Sequence, residues 1–169
     1  MALRVRKSTI RKWPVTFTLM VGDDLGDVSP VEQSFVAHWN PISEAEHEAL
    51  LKETATQFGD PMPDDDSQAA KEKRAKLSQS QILERNAWYY AQRICGWGPE
   101  VAGEDGLPLP FSQDALKALV TGEDGNTISA ALLVADRQVR YGIAPAKNAS
   151  TSPAPGAAAA GNAGEAKTS

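Results

Sequence analysis

The residues able to do chemistry are few, and their spacing is unhelpful to an enzyme. His38 and His47 stand nine positions apart, close to Glu44, Glu46 and Glu48. A metal site needs ligands that converge at fixed geometry, and neither an HExxH spacing nor a paired-His motif occurs. Surface or partly buried histidines are therefore expected. Asp64, Asp65 and Asp66 could contact magnesium, but they lack the alternation and central Gly of a calcium loop. Cys95 is the one cysteine; it excludes an internal disulfide and has no nucleophile motif around it, so an apolar helix-end position is expected for it. No GxSxG, P-loop or GxGxxG is present. The four Trp and three Tyr could stack on bases, yet the helical spacing of Trp88 and Tyr90 suits core packing better. Neither a metal nor a cofactor is implied, and catalysis is not expected.

The elements that would position these residues read as follows. Val15, Phe17, Leu19 and Val21 alternate with Thr16, Thr18 and Met20, the period of a half-buried strand. Gly22–Pro30 is rich in Gly and Asp and predicts a turn. Val31, Gln33, Phe35, Ala37 and Trp39 would share one face of a second, antiparallel strand. Ser43 and Glu46 form a capping box that opens a helix running to about Gln57. A longer helix is predicted over Ser78–Cys95, with Leu83, Ala87, Tyr90 and Ile94 on one face, Trp88, Ala91 and Cys95 widening it, and Gly96 ending it. A third helix opens at Ser112 and buries Leu116, Leu119 and Val120. A fourth spans Thr127 to about Tyr141, with Ile128, Ala131, Leu132, Ala135 and Val139 inward. Between the second and third helices, Pro99, Pro108 and Pro110 exclude a long central strand. The turns Gly103-Glu104-Asp105-Gly106 and Gly122-Glu123-Asp124-Gly125 are both expected to use Gly and Asp for unusual backbone angles.

The fold class is thus α+β: an N-terminal antiparallel strand pair packed on a mainly helical body of about four helices. Residues 1–12 form a basic arm, 13–148 a single domain with a polar linker at 59–77, and 149–169 a tail. In the linker an Asp cluster passes into a Lys/Arg-rich run that could carry helical turns toward its end. Eight of the 21 tail residues are Ala and none is aromatic or branched aliphatic, so burial cannot offset ordering and disorder is expected there.

Charge narrows the partners. The chain of 169 residues carries 17 Lys and Arg against 22 Asp and Glu, a net of −5. Five of the basic residues, Arg4, Arg6, Lys7, Arg11 and Lys12, lie in the first 22 positions with no acid among them. The 12 basic residues that remain face all 22 acids, so the body holds −10. That excludes a general nucleic-acid binder, although the basic arm leaves open a small regulatory or nucleic-acid-associated protein whose binding would collapse with salt. The arm is followed by Trp13-Pro14-Val15 and two Thr without a small-x-small cleavage pattern, which favours a solvated arm over a secretory signal. The run is also too short to span a membrane.

The order of segments carries one resemblance. A strand pair ending in Phe35-Val36-Ala37-His38-Trp39 leads into a capped helix with Glu46, Ala49 and Leu50. A second helix is followed by Gly96-Trp97 and the Asp105-Gly106 turn. Leu107-Pro108-Leu109-Pro110-Phe111-Ser112 then opens a helix with Leu116 behind it, and the last helix is followed by Lys147-Asn148. Over roughly Trp13 to Asn148 this resembles the tail assembly chaperones of long-tailed bacteriophages, encoded beside the tape measure protein. The insertion at Gly59–Leu77 and the Ala/Gly/Pro tail depart from that pattern. The resemblance implies a binding role in the bacterial host cytoplasm and absence from the mature virion. It implies as partners the tape measure protein, the tail tube protein and a frameshifted longer form of the chain. A tail-completion or head–tail connector component retained in the virion is the alternative. Partner anchors would be Phe35, Trp39, Trp88, Trp97 and Phe111, unless these aromatics simply pack the fold. If they are anchors, Trp39→Ala or Trp97→Ala should weaken tape-measure solubility more than it lowers the melting temperature.

Overall fold

The computed structural model describes residues 9–22, 26–103 and 105–143. Most of the basic arm, the tail at 149–169 and the pair Lys147-Asn148 lie outside them. The fold is α+β, with an antiparallel three-stranded sheet and five helices among the described residues.

The alternating segment forms β1 (Arg11–Gly22), paired antiparallel with β2 (Val28–Trp39) so that Val15 stands opposite Phe35 and Leu19 opposite Val31. Directly opposed residues share a face, so the apolar sides of both strands turn the same way. Phe17 and Phe35 meet edge to face at 6.3 Å. Two boundaries differ from expectation. β1 starts at Arg11, inside the predicted arm, where the Arg11 guanidinium donates to the Val139 carbonyl. The turn is shorter than predicted, because β2 takes in Pro30 opposite Met20. The third strand pairs with β2 only at Ala37, His38 and Trp39, so β2 at Pro30 has one neighbour and tolerates a missing donor.

The capping box opens α1 (Glu44–Phe58): Ser43 Oγ accepts from the Glu46 N–H at 3.2 Å, and Glu46 accepts from the Ser43 N–H at 2.6 Å. The helix ends at Gly59, whose φ of 64° is the left-handed conformation that glycine adopts without strain. The polar stretch 59–77 contains a fifth helix, α2 (Gln68–Ala75), capped by Ser67 and exposed except at buried Ala70 and half-buried Arg74. The Asp60 carboxylate binds the Arg85 guanidinium, which fastens the stretch to the body, and Arg74 donates to the Met62 carbonyl at 2.6 Å within the stretch itself.

The next helix, α3 (Gln79–Arg93), stops two residues earlier than predicted. Ile94 is extended (φ −103°, ψ 129°) and begins β3 (Ile94–Trp97), which adds to β2 in the order β1-β2-β3. Ile94 is buried as the helical periodicity predicts, but it is paired with Trp39 in the sheet. Gly96 is therefore not a helix stop. A Cβ there would lie 2.9 Å from His38 Nδ1, so glycine lets the two strands close at this position. Cys95 is exposed on β3 rather than held at an apolar helix end.

Ser112 caps α4 (Gln113–Thr121), and α5 (Gly125–Tyr141) follows. The two Gly/Asp turns differ physically. In the first, Gly106 has φ 74° and Asp105 accepts from the Leu107 N–H at 3.0 Å. In the second, no glycine has positive φ; Gly125 is required because a Cβ would come within 2.2 Å of the Val120 carbonyl oxygen. The helices α3, α4 and α5 close on the sheet around Trp39, Tyr90, Leu116, Val120, Leu132 and Val139.

Candidate functional site

The five aromatic residues expected as anchors do not form one patch. Trp39 has no exposed surface, and Phe35 and Trp97 are 6% and 8% exposed, so these three pack the core and offer a partner almost nothing. Trp39 meets Tyr90 edge to face, and Trp97 meets Phe111 at 4.9 Å while its indole donates to the Leu109 carbonyl at 2.7 Å. Phe111 is half-buried, as is Trp88, which packs against Phe58 on the other side of α3. The motif positions have structural roles as well: Asp105 and Gly106 shape an exposed turn, Pro110 is exposed, Ser112 caps α4, and Leu116 is fully buried. Lys147 and Asn148 lie outside the described residues. His38 is half-buried against Gly96, and no group of three or more metal-ligating side chains occurs among the described residues.

Two features stand out that periodicity did not reveal. One is a groove of about 540 Å³ between β1 and the N-terminal half of α5. Thr16, Phe17 and Thr18 form one wall, and Thr127, Ala130 and Val134 the other; its lining carries no charged side chain. Val134 is 56% exposed, and Met20 lies exposed further along β1. The only hint in the sequence is the run Ala130-Ala131-Leu132-Leu133-Val134, which is apolar all round and so leaves some apolar side chains outside the core.

The other feature is a buried polar network joining α1, α3 and α5. Asp136 accepts from Arg93 Nε at 3.0 Å, Tyr89 OH at 3.0 Å and Arg140 Nε at 3.1 Å. Because a carboxylate only accepts, Tyr89 donates its single proton to Asp136 and must accept from His47 Nδ1 at 3.1 Å. That fixes the proton of neutral His47 on Nδ1. Burial, aided by the Arg140 charge, pushes the His47 imidazole below its ordinary value against the pull of Asp136. Burial also raises the Tyr89 and Tyr90 hydroxyls, so both stay protonated.

A pH dependence follows from His47. Its pKa is lower in the folded chain than in the unfolded one, so the unfolded chain takes up the proton first. Stability should be intact above about pH 6.5, fall as acidification proceeds from there toward the depressed value, and level off below it. Urea unfolding at pH 7.5 and at pH 5 measures the loss, and His47→Asn, which retains a donor for Tyr89, should flatten it. An undiminished slope in that variant would assign the proton uptake to other groups.

No protein-family model, curated protein or solved structure matches the chain. Among the described residues, no helix is long and apolar enough to cross a membrane.

Proposed function

We propose that the chain is a tail assembly chaperone of long-tailed bacteriophages, which binds the tape measure protein in the host cytoplasm and keeps it soluble until the tail tube encloses it. The observation that carries this reading is the uncharged groove between β1 and α5. In a chain of net charge −5, an open groove with no charged side chain is a surface for apolar matter. A tape measure protein is long and helical with apolar faces, and a helix laid in such a groove buries one stripe. Ala130 is small enough to let a helix approach closely, Val134 supplies an apolar ridge, and the Thr16 and Thr18 hydroxyls tolerate either water or a partner. The acidic body would keep the loaded complex soluble through self-repulsion. Contacts of this kind are modest, which suits later release to tube subunits.

The test is co-expression with the tape measure protein. Val134→Glu places a charge in the groove and should cut soluble tape measure protein several-fold, while stability stays within about 0.5 kcal/mol because the site is exposed. Unchanged solubility would remove the groove from the mechanism. Mass spectrometry of purified virions separates the chaperone from a tail-completion component, since only the latter stays in the particle.

A further inference from the structure

The opposite flank of α5 borders a second cavity, a cleft of about 370 Å³ between α1, α3 and α5, and its chemistry differs from that of the groove. Leu51 and Leu133 give it apolar walls, and Leu133 is 53% exposed. Three of its lining residues are arginines and one, Asp136, is acidic, the reverse of the chain's overall balance.

The arginines are not equally occupied. Arg85 is engaged through all three nitrogens: Nε and Nη2 are bound to Asp60, and Nη1 donates to the Gln81 carbonyl. Arg140 is partly committed, through Nε to Asp136 and a long 3.4 Å contact to Glu44. Among the described residues, Arg137 makes no hydrogen bond or ion pair, although it stands three residues before Arg140 and lines the same cleft. His47 contributes the complementary function. With Nδ1 tied to Tyr89, its Nε2 has no protein partner among the described residues and is a lone-pair acceptor.

We propose that this cleft binds a small anion that also carries a hydrogen-bond donor and an apolar body, the chemistry shared by monoanionic phosphate esters and hydroxycarboxylates. The guanidinium fork of Arg137 takes two anionic oxygens, with Arg140 adding charge beside it. The donor of the ligand, a P–O–H or an α-hydroxyl, is received by His47 Nε2. The apolar body covers Leu133 and Leu51. The inference is independent of tape-measure binding, which uses the other flank of α5.

The test titrates the full-length protein with phenyl phosphate and with mandelate at about pH 5.5, below the second phosphate pKa of about 6 so that the ester keeps its P–O–H. Benzyl alcohol is the uncharged control, and the readouts are calorimetry and NMR of the histidine side chains. Saturable binding of one anion per chain is expected, with a shift of His47 Nε2. Arg137→Gln should weaken binding about tenfold, the worth of one charge-assisted pair. Binding by phenyl phosphate alone assigns the cleft to phosphate esters, and binding by mandelate alone to hydroxycarboxylates. The proposal is overturned if neither anion saturates, if His47 does not respond, if Arg137→Gln binds as tightly, or if benzyl alcohol binds equally well.

Discussion

Asp136→Ala should destabilise the protein by about 3–5 kcal/mol, because it leaves a charge stranded where water cannot reach it. The Arg93 side chain is fully buried and that of Asp136 is 1% exposed. Removing the carboxylate deprives Arg93 Nε, Tyr89 OH and Arg140 Nε of their shared acceptor. Arg93 cannot swing outward to be hydrated, since Nη1 is bound to the Asn40 carbonyl and its own carbonyl accepts from the Asn40 N–H at 2.8 Å. The large cost does not mean that the ion pair itself is strongly stabilising. Desolvation of two charges offsets most of their attraction, so the double variant Arg93→Met with Asp136→Leu should recover most of the loss. Urea denaturation of the two single variants and the double variant measures both terms. A loss below about 1 kcal/mol for Asp136→Ala would mean that the pair is hydrated. The loss should also persist in high salt, which screens exposed pairs much more than buried ones.

That network explains what could and could not be read from the residues in order. The capping box at Ser43 and the strand alternation from Val15 to Leu19 are local: each depends on neighbours within four positions, and both are present as expected. The apolar face Leu83, Ala87 and Tyr90 was legible for the same reason. Tyr89 and Arg93 lie off that face, so periodicity assigns them to the surface. They are buried because His47 and Asp136 satisfy them from 42 to 47 positions away. β3 was hidden for a similar reason: four residues after a helix hold no alternation long enough to register, and their partner β2 is far back in the chain. The roles of the candidate anchors were left open on the same ground. An aromatic side chain can serve a core or an interface, and only the tertiary arrangement decides, as the burial of Phe35, Trp39 and Trp97 illustrates.

Both candidate surfaces lie along α5, and this limits how they can be tested. The helix is amphipathic only in part: Leu132, Ala135 and Val139 face the core, while Leu133 and Val134 are more than half exposed on opposite flanks. A substitution at a core position of α5 would disturb groove and cleft together. Charges introduced at Val134 or removed at Arg137 act on one flank each, so their effects should add independently.

Trp39→Ala should cost about 3–5 kcal/mol, and it should lower soluble tape measure protein only in proportion to that loss of fold. Trp39 closes β2 at the point where Arg11 of β1 and Ile94 of β3 flank it, and it has no exposed surface. Its ring packs edge-on against Tyr90 at 6.5 Å and lies 5.8 Å from the Arg93 guanidinium carbon. Alanine would therefore open a cavity beside the buried ion pair and remove the cation–π contact with Arg93. Burial of Trp39 and Trp97 favours the packing role over the partner role for both. Trp39→Phe gives the finer test. The indole N–H of Trp39 is buried without a hydrogen-bond partner among the described residues, so phenylalanine removes an unsatisfied donor along with part of the ring. Those two effects oppose each other, and the loss should stay below about 2 kcal/mol. Thermal and urea unfolding of both variants, set beside the co-expression yield, settles the role. If Trp39→Ala kept its melting temperature while tape-measure solubility collapsed, the indole would belong to an interface after all.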